Sequence, residues 1–373
     1  MRPGLVHDRR SLSGLLALCW LVLIVYASLY PFTAWRLPPG AGLTDVLRLP
    51  WPRWLPGFDA WSNLLGYLPL GLLLGFATLR ARRPWWAPLV VGTLAAAGLS
   101  YGMELLQQFV PRRVPSAHDW LLNTGGGLLG ALLAVALDAL GWPTRWRWLH
   151  DRWLQRGGSG ATTLLLLWPV GLLFPSPLPF GLGQVGGRLR ELALDGLDGV
   201  SWAQPLTLWL ETSEVFEPAS AVVETVVAVL GLLAPCLLAY AASAPSWRRA
   251  ILGLGVPAVA ITAATLSTAL NFGPEHAFAW RTPTVDSALV TSTGLGLALV
   301  WVGPRLASSL ALIALTGLVL LVHLAPADPY FAQSLQAWEQ GRFIRFHGLA
   351  QWVGWLWPYL AIGWLLAAPG RSR

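Results

Sequence analysis

The strongest constraint in this sequence is a succession of ten apolar runs, most of them long enough to cross a bilayer. They cover 12–30, 61–79, 84–108, 119–140, 161–174, 219–242, 250–271, 285–302, 306–324 and 349–368. Backbone crossing hydrocarbon must satisfy every N–H and C=O within the chain, so such runs are read as helices. The expected fold is therefore all-α, a polytopic membrane helix bundle with about ten transmembrane helices. Composition agrees: 55% of the 373 residues are hydrophobic and 12% are charged, where a water-soluble domain carries about a quarter charged. The first run follows Arg2, Arg9 and Arg10 and lacks a convincing cleavage site. It is read as a spanning helix and not as a removed signal.

Arginine supplies all 25 basic residues. With the N-terminus inside, the larger share of them falls in segments on the inner side, as the positive-inside rule requires. The expected location is a bacterial inner (plasma) membrane, multi-pass, with both termini cytoplasmic. Orientation thus accounts for the net charge of +7 without nucleic acid. Many of the 23 tryptophans lie near run ends, as in 85–86, 142–153 and 352–357, where amphipathic rings suit the headgroup level. Cys19 and Cys236 lie in apolar runs and form no paired-cysteine motif. Residues 32–60, rich in Pro, Gly and Trp, read as an interfacial loop, and the acidic stretch 179–217 as an external one.

An offset of 167 brings Arg82 onto Arg249, Ser100 onto Ser267, Asp119 onto Asp286 and Gly127 onto Gly294. A one-residue adjustment adds Arg113 with Arg281 and Pro115 with Pro283, and a similar one adds Pro69 with Pro235. These matches suggest a parallel internal repeat. The expected organisation is a four-helix unit over 1–140, a degenerate second four-helix unit over 141–305, and a two-helix segment over 306–373. In the second unit Glu104 is replaced by Asn271, Gln107 by Pro274 and Asn123 by Val290. Chemistry is therefore expected in the first unit.

Polar residues in that unit stand at helical spacing, and hydrocarbon makes each one costly without a partner. Asp59 with Asn63, Glu104 with Gln107 or Gln108, and Asp119 with Asn123 each share a helix face. All three pairs are expected at one, outward-facing, membrane surface. Arg113 is placed to bridge Glu104 and Asp119 or to contact an anionic group. The competing reading is that the acids cap helices and pair with arginines. Asn63 precedes Pro69, whose ring frees a backbone carbonyl, so helix packing is a second reading for it. Gly126 and Gly130 form a GxxxG, which implies close helix packing. His118 and His276 lack HExxH or paired-Cys spacing, so no metal is expected. No cofactor motif, GxSxG elbow or GxxxxGK[ST] loop occurs.

Three segments together resemble the VanZ-like family, named for a teicoplanin-resistance protein. They are NLLGYLPLG with Asn63, Pro69 and Gly71, ELLQ with Glu104 and Gln107 followed by Arg113, and DWLLNTGGGLLG with Asp119, Asn123, Gly126 and Gly130. The resemblance covers about residues 10–140, with a decayed echo in 250–300. It implies a multi-helix envelope protein, linked in some members to lower glycopeptide susceptibility, and supplies no established reaction. By carry-over, the candidate ligand-binding set is Asn63, Glu104, Gln107, Arg113, Asp119 and Asn123. The leading expectation is a site for a cell-envelope lipid, a cell-wall or polysaccharide precursor, or a glycopeptide-type antibiotic. Membrane lipids are the expected partners, and no feature sets an oligomeric state. The alternatives are an intramembrane enzyme on a lipid-linked substrate, with Glu104 or Asp119 as general base, and a transporter.

Overall fold

The computed structural model describes residues 12–29, 35–36, 42, 46–51, 57–110, 114–154, 159–174, 176, 178–212, 220–323 and 344–367. Among them the chain is helical throughout, with 13 α-helices, two short 3-10 turns and no strand. Six helices are long and apolar enough to cross a membrane, and two shorter ones are apolar as well. The fold is a polytopic helical bundle. It divides into two compact units, Met1–Arg152 and Trp153–Arg373.

The first unit holds α1 (Leu12–Leu29), α2 (Gly57–Arg80), α3 (Ala87–Gln107) and α4 (Ala117–Ala139), with α5 (Trp142–Trp153) at its edge. Helix α2 packs most extensively on α4, and α3 closes against both. The reason is a seam of small residues. A methyl group at Gly71 would strike the carbonyl of Gly127, one at Gly126 the carbonyl of Leu64, and one at Gly130 the carbonyl of Leu68. The α2 and α4 backbones are therefore in direct contact, which is how helices gain packing energy where lipid removes the hydrophobic drive. Ala96 and Ala131, both fully buried, extend the seam to α3. Helix α1 joins through Trp20, whose Nε1 donates to the Gly66 carbonyl at 2.8 Å.

Helix bounds follow local chemistry. Helix α2 begins at 57, so the last part of the expected 32–60 loop is already helical. Helix α4 is capped by Ser116, whose Oγ accepts from Asp119 N at 3.3 Å. Asp119 is thus the third residue of the first turn, where its charge suits the helix N-terminus. Gly141, at φ +73°, turns the chain out of α4 into α5.

The second unit contains α6 (Ser159–Gly171), α7 (Val185–Leu197), α8 (Gln204–Thr212), α9 (Ala221–Ala241), α10 (Arg248–Phe272), α11 (Pro283–Ala298), α12 (Pro304–His323) and α13 (Ile344–Ala367). The acidic stretch 179–217 carries two short helices, α7 and α8. Helix α9 is the hub, buried along most of its length between α10, α11 and α12. Helix α13 packs on α6, where Trp357 Nε1 donates to the Leu164 carbonyl at 2.7 Å.

Arg249 locks the end of this hub. It is fully buried, and its five N–H donors are matched by five acceptors. Nε donates to Ser243 Oγ at 3.1 Å, Nη1 to the carbonyls of Val300 and Val302, and Nη2 to those of Tyr240 and Ser243. The charge faces the carbonyl ends of α9 and α11, the negative poles of two helix dipoles. Tyr240 completes the lock, its hydroxyl donating to Arg249 O at 2.9 Å and Gly296 O at 3.0 Å. Replacing Arg249 with Met leaves these carbonyls without donors and should cost at least about 3 kcal/mol. Arg249→Lys, with three donors and no planar fork, should recover only part of that. Unfolding of the purified protein in detergent measures both; equal stability of all three forms would remove the lock from this account.

Candidate functional site

At one end of the first unit the C-terminus of α3 meets the N-termini of α2 and α4. Four polar side chains are buried there: Tyr67 from α2, Ser100 and Glu104 from α3, and Asn123 from α4. Helical spacing puts Ser100 and Glu104 one turn apart on one face of α3. The glycine seam brings α2 and α4 close enough to meet that face. Asn123 Nδ2 donates to Ser100 Oγ at 2.9 Å. Glu104 Oε2 accepts from the backbone N–H of Ser116 at 2.8 Å. In a capping box the first-turn acid, here Asp119, would take that N–H. Glu104 takes it instead and ties α3 to the start of α4.

The cluster holds two unpartnered polar atoms. Tyr67 Oη lies beside Ser100 and within electrostatic reach of Glu104, yet makes no geometrically sound hydrogen bond to protein. Asn123 Oδ1 is buried without a partner as well. A buried hydroxyl or carbonyl with no bond costs roughly 1–3 kcal/mol. Native structures keep such atoms where water or a ligand completes them.

A cover closes this end. Segment 46–51 lies over α3 and α4: Gln108 Nε2 donates to the Val46 carbonyl at 2.6 Å, and Tyr101 Oη to that of Leu47 at 2.8 Å. Ala117 N donates to the Pro50 carbonyl at 2.9 Å, and Trp51 stacks edge-on against His118 at 5.8 Å. The expected interfacial loop is thus, over these residues, a strap held by its own carbonyls. Among the described residues these contacts all run to the α3–α4 end.

The six residues singled out from the sequence fall in different places. Glu104 and Asn123 are in the buried cluster. Gln107 is half-buried and donates to the Ser28 carbonyl at 3.1 Å, fastening the end of α1. Asn63 is half-buried on α2, one turn before Tyr67. Asp119 is half-buried, its Oδ1 3.7 Å from His118 Nδ1. Arg113 and the Asp59 side chain lie outside the described residues, so the expected bridge from Arg113 to the acids does too. Among the described residues no group of three or more His, Cys, Asp or Glu side chains is arranged to hold a metal ion. Sequence reasoning missed Tyr67 and Ser100 as members of the site. Their signal was spacing, since Tyr67 is four residues after Asn63 and Ser100 four before Glu104.

Residues 14–138 match the model of the VanZ/LLP1 family. The first unit carries a VanZ-like domain. Its matched span runs from α1 through α4 and contains the whole buried cluster. None of the curated proteins and none of the solved structures matches the chain. With six helices long and apolar enough to cross a membrane, the protein is a multi-pass membrane protein that carries a VanZ-like domain over residues 14–138.

The geometry of the VanZ-like unit sets distinct costs for its polar residues. Glu104→Leu strands the Ser116 N–H and should destabilise by about 1–3 kcal/mol, whereas Glu104→Gln keeps an acceptor there and should cost less. Tyr67→Phe removes no protein hydrogen bond and should change stability by less than about 1 kcal/mol. Detergent unfolding curves decide the matter. A Tyr67→Phe loss as large as that of Glu104→Leu would mean the phenol is structurally bonded.

Proposed function

We propose that the buried cluster of the VanZ-like unit binds a polar group of the cell envelope. The candidates are a lipid headgroup, a cell-wall or polysaccharide precursor, or a glycopeptide-type antibiotic, with the protein accessory to envelope biogenesis or resistance. The observation that carries this reading is the pair of orphaned atoms, Tyr67 Oη and Asn123 Oδ1, beside a buried carboxylate. Together they offer a donor and two acceptors, a set that suits hydroxyl or amide groups. Strap 46–51 would open to admit the ligand and close to exclude water. Asn63 and Asp119, half-buried on the same helix ends, would line the approach, with Arg113 as an anion contact and Gln107 as support for the α1 end. The setting we propose is a bacterial inner membrane with both termini cytoplasmic.

Residues 141–305 are proposed to be a diverged copy of the four-helix unit over 1–140, followed by a two-helix segment over 306–373. Helices α9, α10 and α11 pair with one another as α2, α3 and α4 do, the first and third again most extensively. The contrast between the copies supports a site in the first alone. Where the first has Glu104, the second has Asn271, whose Nδ2 donates to the Ser267 carbonyl at 2.7 Å. Ser267 Oγ in turn donates to the Leu173 carbonyl at 2.8 Å. At the following turn Arg281 pairs with Asp286 at 2.8 Å, and that carboxylate holds the guanidinium above its ordinary range.

A second reading has one specific observation in its favour: a phenol hydroxyl beside a buried carboxylate is a pair fit for proton transfer to a bound lipid-linked substrate. Binding and turnover by purified protein separate the two. Affinity for a panel of phospholipids, polyprenyl-linked precursors and glycopeptides should fall about 10-fold or more in Glu104→Gln and Asn123→Ala for one class alone. Equal binding of every class by wild type and variants would overturn the ligand site. Product formation lost in Glu104→Gln would favour the enzyme.

A further inference from the structure

The opposite end of the VanZ-like unit, where α2 turns into α3, is built for a different chemistry. The turn carries Arg80, Arg82 and Arg83, all exposed, followed by Trp85 and Trp86, 68% and 53% exposed. No acid occurs between Asp59 and Glu104. Among the described residues none of the three arginines makes an ion pair. Beside the turn lies a groove of about 710 Å³, walled by Leu74, Ala77 and Ala81 of α2 and by Trp86 and Val91 at the start of α3, with Arg83 at its end. That volume is within the range of about 300–1,000 Å³ of ligand clefts. The one hydroxyl in its wall, that of Thr78, is satisfied by the Leu74 carbonyl at 2.7 Å, so the groove asks for apolar contents.

A separate observation marks the turn. Arg82 adopts φ +54°, the left-handed conformation that ends helices and that glycine fills without strain. An arginine at that position carries backbone strain that glycine would not, and it presents its exposed charge at the turn. Nearby in the fold, at the C-terminal end of α4, helix α5 repeats the composition. Trp142, Trp146 and Trp148 are exposed, as are Arg145 and Arg152, and Arg152 lies 4.9 Å over the Trp148 ring. Residues 142–156 hold four arginines against the single acid Asp151. Both segments therefore present exposed tryptophan beside an excess of positive charge, the pattern that selects anionic lipid.

We infer that the α2–α3 turn is a binding site for an anionic phospholipid, with an acyl chain in the apolar groove and its headgroup phosphate against Arg82 and Arg83. Arginine forks suit phosphate oxygens, and the adjoining tryptophans hold the glycerol level. The site is independent of the Glu104 cluster, which lies at the other end of the same helices.

The test is native mass spectrometry of the full-length protein, delipidated in detergent and titrated with dioleoyl-phosphatidylglycerol or dioleoyl-phosphatidylcholine. Wild type should retain phosphatidylglycerol over phosphatidylcholine. An Arg82→Gly, Arg83→Gln double variant should lose that preference, at about fivefold for each arginine, while its unfolding temperature stays level or rises as the left-handed strain is relieved. Arg83→Lys should keep most of the preference, and Ala81→Trp, which fills the groove, should lower retention of both lipids. Equal retention of the two lipids by wild type, an unchanged preference in the double variant, or unaltered retention in Ala81→Trp would overturn the proposal.

Discussion

Backbone contact between α2 and α4 is the feature on which the VanZ-like unit depends. Side chains of ordinary size at Gly71, Gly126 or Gly130 would drive into a facing carbonyl, so the helices meet at glycine spacing or not at all. In hydrocarbon that contact supplies dispersion and close carbonyl packing where burial of apolar surface gains little. It also has a geometric consequence. Two helices pressed together this tightly leave α3 a shallow trough to lie in, and the polar residues on its inner face are buried against them. Glu104, Ser100, Asn123 and Tyr67 are buried together because the seam leaves them nowhere else to go.

The two ends of the unit then divide the work. One is acidic, internal and strapped by 46–51; the other is basic, exposed and rich in tryptophan. Each end follows from the same three helices running alternately through the bundle. The carboxylate of Glu104 is held by a backbone N–H and keeps its distance from the arginines of the α2–α3 turn, which lie a full helix length away. In the second unit the buried charge of Arg249 is handled differently. Arg249 is surrounded by carbonyl oxygens at two helix C-termini, so dipoles and not a carboxylate balance it.

Much of this was legible in the sequence because the controlling signals are local. Each of the ten apolar runs coincides with a helix, and six of those helices are long and apolar enough to cross a membrane. The GxxxG at Gly126 and Gly130 announced close packing, and the structure adds that these glycines meet the Leu64 and Leu68 carbonyls while Gly71 faces Gly127. Glu104 and Asn123 stood out as polar groups in apolar helices. What the sequence did not convey is which way those groups point. Helical spacing assigns a face but not whether that face meets solvent, another helix or a strap. Hence the burial of Glu104 emerges only from the packing, as does the bond of Gln107 to the end of α1. Tyr67 was overlooked because a tyrosine in an apolar run reads as filling; its orphaned hydroxyl shows only once the neighbours are in place. The strap at 46–51 binds through backbone carbonyls, which no side-chain pattern encodes.

The central claim is that the Glu104 cluster is a prepared site and not a packing defect. The most direct measurement is electron cryomicroscopy of the full-length protein in lipid nanodiscs at a resolution that shows ordered water. This account predicts non-protein density within hydrogen-bonding distance of both Tyr67 Oη and Asn123 Oδ1, beside the Glu104 carboxylate. A dry cluster, with those two atoms bonded to each other or to neighbouring protein groups, would contradict it.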